Sequence, residues 1–335
     1  MINNVEVVYF PSDGGTNRYV AINKEIICKL DGFYLNEDVN LRDFFLFTAF
    51  FKRRFRNSIV VVNWLENFLK SKSGRLSSIG SLKYFLAIFL IKLHGAKLVY
   101  VRHNFYPHGM ESSSAKLAMR ITDLGQKLSD KKVSLSPHLE KSGYLYLPHP
   151  LYNNELSGEY LLNSDSYYVI FGRIERYKNI EKVIKEWTSD KKLVIAGSSE
   201  DSRYLSEIEV LSENKNIRII PRALSDSEAE QLIKNSSGLI ISHSNSNTIV
   251  SGSFFFGASC GAYILALETD FVNFLLKDNQ YEGLIVVSSI NELTNKIDKL
   301  ERLQLRLTPS QLNHQARLNF GFSKVAASWS KILSF

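Results

Sequence analysis

Between residues 167 and 287 the chain spells out six short apolar runs, and helical patterns separate most of them. No other feature constrains the fold as much. The runs lie at 167–171, 192–196, 217–220, 238–242, 262–267 and 284–287. Unbroken Val, Ile, Leu and aromatic residues, without polar alternation, are the pattern of strands covered on both faces. Strand–helix alternation of this kind predicts a parallel sheet flanked by helices. One of the intervening helices opens with Ser225-Asp226-Ser227-Glu228, a capping box.

The first of these runs ends at Gly172, and Arg173 and Lys178 follow it five positions apart. Ile180, Val183, Ile184 and Trp187 then fall at helical spacing. Strand, basic loop and helix put two cations at the carboxyl edge of a sheet, where open α/β proteins bind ligands. A guanidinium and an ammonium there suit a diphosphate; the plain alternative is a solvated loop. The fourth run leads into a loop of hydroxyls and amides carrying Thr248, Ser251, Gly252 and Ser253, followed by apolar Phe254, Phe255 and Phe256. The amides of a helix beginning there would complete an anion site; the alternative is an ordinary serine cap. From Gln231 through Leu267 no acidic residue occurs, which suits a doubly negative ligand.

The first half carries the charge. The net charge is +7, yet residues 1–150 hold 21 Lys and Arg against 12 Asp and Glu, so an acidic partner is drawn to that half. A first strand at 5–10 runs into Asp13, Gly14, Gly15, Thr16 and Asn17, a loop whose amides can approach an anion, ahead of a helix through 20–27. It is not a dinucleotide fingerprint, because Gly-x-Gly-x-x-Gly is absent. A strand at 58–63 ends at Trp64 and Glu66, an indole and a carboxylate suited to an acceptor site. A strand at 97–102 runs into His103, Asn104 and His108, suited to general-base or phosphate-contact roles rather than metal ligation. Strands at 133–137 and 144–147 close this half. The stretch 41–56 reads as an aromatic helix ending in four cations within five residues, and 82–93 as a second apolar helix between lysines. Each is either core or a face for an anionic membrane surface.

Pro148-His149-Pro150 and the polar stretch 152–166 mark a boundary between two domains of ordinary size. Leu318, Phe322, Val325, Trp329 and Ile332 predict a terminal helix over 316–333. Cys28 and Cys260 read as small core residues in a reducing compartment. No secretory signal and no span long enough for a bilayer is expected.

Two doubly wound halves, the Gly172-Arg173-x4-Lys178-Asn179 loop, His103-Asn104-x3-His108, the Thr248-x2-Ser251-Gly252 helix start and the terminal Trp-containing helix resemble the GT-B glycosyltransferases. Within them the chain is most similar to bacterial exopolysaccharide and lipopolysaccharide enzymes, xanthan-type mannosyltransferases included. The resemblance implies an α/β fold of two Rossmann-like domains facing each other across a cleft. Residues 1–150 would bind the acceptor, 151–312 the nucleotide-sugar donor, and 313–335 would form a terminal helix packing back across the boundary. Arg173 and Lys178 would hold the donor diphosphate, Ser251, Gly252 and Ser253 would cradle it, and Arg222, Ala223 and Leu224 would lie near the nucleobase. The donor would be a UDP-, GDP- or dTDP-sugar, and the acceptor a saccharide, free or linked to polyprenyl diphosphate. The enzyme would sit in the cytoplasm at the inner face of the membrane, needing neither metal nor cofactor and binding no nucleic acid. The two glutamates of the retaining branch have no counterpart in the acid-free span, so direct displacement with inversion is expected. The base would be His103, His108, Glu66 or Asp13, His103 first among them. Two other readings compete: an epimerase or pyruvyl-type transferase on the same fold, and a non-catalytic basic protein binding membrane or nucleic acid.

Overall fold

The computed structural model describes residues 4–12, 17–45, 54–152, 167–243, 249–300 and 307–335, the side chains of 298–300 excepted. Two compact units emerge: Met1–Pro150 with Asn247–Val250 and Phe322–Phe335, and Leu151–Ser246 with Ser251–Gly321.

The first unit begins with β1 (Val5–Phe10), α1 (Arg18–Cys28), β2 (Phe33–Leu35) and β3 (Ile59–Asn63). It continues with α2 (Ser78–Leu93), β4 (Lys97–Arg102), α3 (Ser112–Lys127), β5 (Lys131–Ser134) and β6 (Leu145–Tyr146). All strands are parallel, in the order β2-β1-β3-β4-β5-β6. Register is set in the middle by Val8 opposite Val60 and Val61 opposite Val99. Winding reverses between β1 and β3, so the loops leaving those strands diverge and open a crevice at the carboxyl edge. In the core, Val60, Val62, Leu98 and Tyr100 cluster with Tyr84, Ile88 and Ile91 of α2.

The second unit repeats the plan with β7 (Tyr167–Phe171), α4 (Ile180–Glu186), β8 (Lys192–Ala196), α5 (Ser202–Ser212), β9 (Ile217–Ile220) and α6 (Asp226–Lys234). Then come β10 (Gly238–Ile241), α7 (Gly252–Ser259), β11 (Ile264–Leu267), α8 (Asp270–Lys277), β12 (Leu284–Val287), α9 (Ile290–Leu300) and α10 (Pro309–Phe320). Its order is β12-β11-β10-β7-β8-β9, again parallel throughout, and the reversal falls between β7 and β10. The capping box at Ser225 and Glu228 forms as the sequence predicts.

Three expectations need correction. The terminal helix is two, because the chain leaves helical geometry at Gly321, where a Cβ would lie 2.3 Å from the Arg317 carbonyl. The second piece, α11 (Phe322–Leu333), belongs to the first unit, where Trp329 donates to Asn23 at 2.7 Å and meets Tyr9 edge-on. Leu318 falls before the break, out of phase with that face, and is exposed. Of the aromatic stretch 41–56, the described part is a single 3-10 turn over Leu41–Phe45 and a bend from Arg54. Phe44 and Phe55 are buried and stacked at 4.2 Å, and Arg54 pairs with buried Glu6 at 2.9 Å. Phe44 and Phe55 therefore build core, while Phe45 is exposed and residues 46–53 lie outside the described residues. Cys28 ends α1 exposed; only Cys260 is buried.

Candidate functional site

In the second unit, three of the residues singled out by sequence, Gly172, Lys178 and Ser253, meet at the switch point. The strand β7 ends at the Phe171 carbonyl, and Gly172 turns the chain with φ +100°, open only to glycine at low cost. The turn makes room for what lies above it: a Cβ on Gly172 would stand 2.7 Å from Lys178 Nζ and 3.2 Å from Ser253 Oγ. Lys178 donates to the Phe171 carbonyl at 3.0 Å, and Ser253 donates to the same oxygen at 2.8 Å. The basic loop and the start of α7 therefore meet on one carbonyl. Two further bonds stitch the loops after β7 and β10 together: Asn179 Nδ2 to the Ser242 carbonyl at 3.1 Å, and Ser242 Oγ to the Lys178 carbonyl.

Lys178 is 6% exposed, and among the described residues it forms no ion pair with a carboxylate. Burial pushes its pKa down to about 8, nearby Arg173 adds to the fall, and Glu175 opposes it. A buried cation is ordinarily paired with an anion; here a carbonyl stands in the partner's place. Arg173 is half-exposed and its guanidinium is spent on Glu175 at 2.9 Å. Ser251 caps α7 by position only: its hydroxyl lies 3.3 Å from His243 Nε2 and makes no bond to the helix amides. Gly252 follows as the first helical residue. Arg222 stands apart at the end of β9, gripping Glu228 at 2.7 Å and the Ala223 carbonyl at 3.1 Å; Ala223 is exposed and Leu224 half-buried. Thr248 lies outside the described residues.

The first unit's crevice is built from rings. His103 follows β4, is 8% exposed, and stacks on Trp64 at 3.9 Å with 25° between planes. Trp64 reaches it from left-handed backbone (φ 52°), which a bulky residue seldom adopts. Tyr19 of α1 meets the His103 ring edge-on at 4.9 Å and His149 at 4.8 Å. Asn63, the last residue of β3, places Oδ1 2.9 Å from His103 Nε2. Burial first, then repulsion from His149 and His108, holds the His103 pKa well below the usual histidine value, so the ring is neutral at pH 7. Asn17 caps α1, accepting from the Tyr19 amide at 3.1 Å. Asn104 is buried, and its carbonyl accepts from Arg102 at 3.2 Å.

Glu66 and His108 lie differently. Glu66 is wholly buried below the crevice, accepting from Tyr100 at 3.0 Å; its other oxygen has no hydrogen-bond partner. Burial pushes its pKa up to about 7 against the pull of Tyr100, Arg102 and nearby amides. His108 is half-buried, and its carbonyl accepts from Lys70 at 2.6 Å. Asp13, Gly14, Gly15 and Thr16 lie outside the described residues. Among the described residues no three His, Cys, Asp or Glu side chains gather closely enough to hold a metal ion.

Two residues that the sequence reading passed over matter here. Arg102, closing β4, is buried with its guanidinium bonded to Asp123 at 2.7 Å, to Tyr144 at 2.8 Å and to the carbonyls of Asn104 and Phe105. It clamps the backbone on the far side of His103. Asn63 is the other. Both are polar residues that end an apolar strand, and that was the signal available.

No protein-family model matches the sequence, and no curated protein matches it. Solved structures do. The Anabaena protein Alr3699/HepE, crystallised in complex with UDP-glucose, matches with a TM-score of 0.68 at 11% identity, over 98% of this chain and 99% of its own. A glycosyltransferase from Rickettsia africae matches with a TM-score of 0.67 at 14% identity, over 99% and 98%. The lipopolysaccharide outer core galactosyltransferase WaaB matches with a TM-score of 0.60 at 11% identity, over 98% and 99%. Both parallel six-stranded units fall within these matches, and the chain has the GT-B fold.

Proposed function

We propose that the protein is a glycosyltransferase that moves a sugar from a nucleotide-sugar donor to a saccharide acceptor. Identity of 10–14% carries the fold and no more, so the reading rests on the site. The observation that carries it is Lys178: a buried ammonium that pairs with no carboxylate among the described residues, beside the start of an eight-residue helix, at the switch point of a parallel sheet. That is a place for a diphosphate. Relatives in fold point the same way, HepE having been crystallised with UDP-glucose.

In this reading the second unit binds the donor. Lys178 and the Ser253 hydroxyl hold the diphosphate, Gly252 and Ser251 approach it through backbone, and Arg173 exchanges Glu175 for it. Arg222, Ala223 and Leu224 flank the nucleobase. The first unit binds the acceptor. An acceptor hydroxyl attacks the anomeric carbon, the bond from that carbon to the diphosphate oxygen breaks, and the proton passes to neutral His103. One displacement inverts the anomeric centre. The leaving diphosphate is neutralised by Lys178 and the helix terminus, so the reaction proceeds without a divalent metal.

The acceptor is a lipid-linked saccharide used in surface polysaccharide synthesis, and α2 supports that choice. Its inner face is buried, yet Ile79, Leu82, Leu86, Phe89 and Leu93 form a second apolar stripe, with Ile79, Leu82 and Phe89 exposed by 70, 67 and 58%. Leu117 and Leu124 of α3, and Leu128 just after it, are exposed as well. The helix α2 has no acidic residue and carries exposed Lys83, while α3 adds Lys116, Arg120 and Lys127. Apolar area bordered by cations fits an anionic lipid surface. Among the described residues no helix is long and apolar enough to cross a membrane. Leu82→Glu with Phe89→Glu should abolish sedimentation with vesicles containing anionic lipid; a concentration-dependent dimer instead would give the face to a second copy.

The function is tested by incubating the protein with UDP-, GDP- and dTDP-sugars, with and without EDTA, and following release of the nucleoside diphosphate. One donor class should be hydrolysed or transferred from, EDTA should change nothing, and the product should carry the inverted linkage. A folded protein that neither consumes any of these donors nor is stabilised by any nucleoside diphosphate overturns the reading.

A further inference from the structure

His103 follows β4, but nothing in its own loop decides which ring nitrogen carries the proton. That decision is made across the crevice, at the end of β3. Asn63 Nδ2 donates to the Phe10 carbonyl at 2.7 Å. A carbonyl only accepts, so the amide is oriented with Oδ1 toward His103, 2.9 Å from Nε2. The amide oxygen also only accepts. Nε2 therefore carries the hydrogen, and the lone pair of the neutral ring sits on Nδ1. Among the described residues the ring makes no other hydrogen bond.

The ring has little freedom to turn. Trp64 stacks on one face and Tyr19 closes an edge, while Arg102 holds the carbonyls of the next two residues. We propose that Asn63 is the positioning residue of the reaction: it holds His103 as the Nε2–H tautomer and leaves Nδ1 as the atom that takes the acceptor proton. This rests on the reading of His103 as the base. When the hydroxyl proton moves to Nδ1, the ring becomes an imidazolium with both nitrogens protonated. Oδ1 goes on accepting from Nε2 and stabilises that charge. An aspartate in place of Asn63 would stabilise it more, by supplying a full negative charge. The other titratable groups facing the ring are His149 from the segment after β6, His108 from its own loop and Tyr19 from α1; no described carboxylate bonds to it.

The test is nitrogen-15 NMR of the histidine rings across pH, paired with rate profiles. In the unaltered protein at neutral pH, His103 should show a pyrrole-type Nε2 and a pyridine-type Nδ1; the reverse pattern overturns the proposal. Asn63→Asp should raise the His103 titration midpoint by about 1–3 units, the size of a close opposite charge. A folded Asn63→Asp variant with an unmoved midpoint also overturns it. The acid limb of kcat/KM should rise with the midpoint. If the midpoint rises and the limb stays, Asn63 does position the ring but His103 is not the base, and it is the functional reading that fails. Asn63→Ala should lower kcat about 10- to 100-fold with donor KM unchanged.

Discussion

At the switch point of the second sheet lie a buried ammonium, a serine hydroxyl and the first turn of a helix; at that of the first lie an indole, a phenol and two imidazoles. The topology is the same in kind, a parallel sheet whose winding reverses beside its first strand. The chemistry differs because burial acts oppositely on the two. Lys178 stays protonated near neutrality although burial costs it basicity, since its reference value is high enough to absorb the loss. His103 has no such margin, and burial leaves it neutral. In the proposed function the charged lysine serves to hold an anion and the neutral ring to receive a proton, and the residue types at the strand ends make that difference.

The sharpest way to break this comparison is to remove one residue from each edge. Lys178→Met keeps the aliphatic stem and deletes the charge; it should weaken nucleoside diphosphate binding by about 100-fold, roughly 2.7 kcal/mol. His103→Gln should leave that binding within about twofold while lowering kcat by about 10²–10⁴. Calorimetry for binding and initial rates for turnover separate the two. If each variant loses both properties alike, the edges do not divide the work.

A smaller effect sharpens the comparison through pH. Lys178 titrates near 8 in the free protein, below the lysine reference. A bound diphosphate favours the ammonium, so its pKa is higher in the complex, and binding above pH 8 must take up a proton. Affinity should therefore be flat from pH 7 to 8 and then fall by up to about tenfold per unit toward pH 10. Lys178→Met should show no such fall. A flat profile in the unaltered protein to pH 10 would mean that the lysine does not meet the ligand.

The second unit was far easier to read from sequence than the first, and burial explains why. Strands such as Lys192–Ala196 and Gly238–Ile241 lie inside the sheet and are buried almost throughout, so composition alone marks them. The strand Phe33–Leu35 is three residues long, at a sheet edge and only half-buried, and leaves no such mark. Errors in the first half came from partners distant in sequence. The stretch 41–56 reads as a helix, yet Arg54 is turned to Glu6, 48 positions away, and the described part before it is a 3-10 turn. Candidate residues at the strand ends were legible where residue type and loop composition coincide, as at Lys178 and His103. Asn63 and Arg102 were missed because each reads as the plain polar end of an apolar strand. Their importance lies in bonds across the sheet that no local pattern encodes.

The last of the expected effects is on stability and concerns what lies beneath the first crevice. Glu66 is buried in the core, and its pKa is raised from 4.5 to about 7. Between those values the folded state binds more protons than the unfolded state, so stability falls as pH rises through this window and the penalty remains in full above it. Its size is on the order of 3 kcal/mol. Glu66→Gln keeps the shape and the acceptor for Tyr100 but cannot ionise, so it removes the pH-dependent part. The amide brings a donor to an oxygen position that has no partner, a cost of about 1–3 kcal/mol that does not vary with pH. In urea melts the variant should therefore be less stable than the unaltered protein at pH 5 and should equal or pass it by pH 8. A stability difference that stays constant between those pH values would mean that Glu66 reaches water. The contrast drawn between a dry, neutral edge in the first unit and a charged one in the second would then lose its basis.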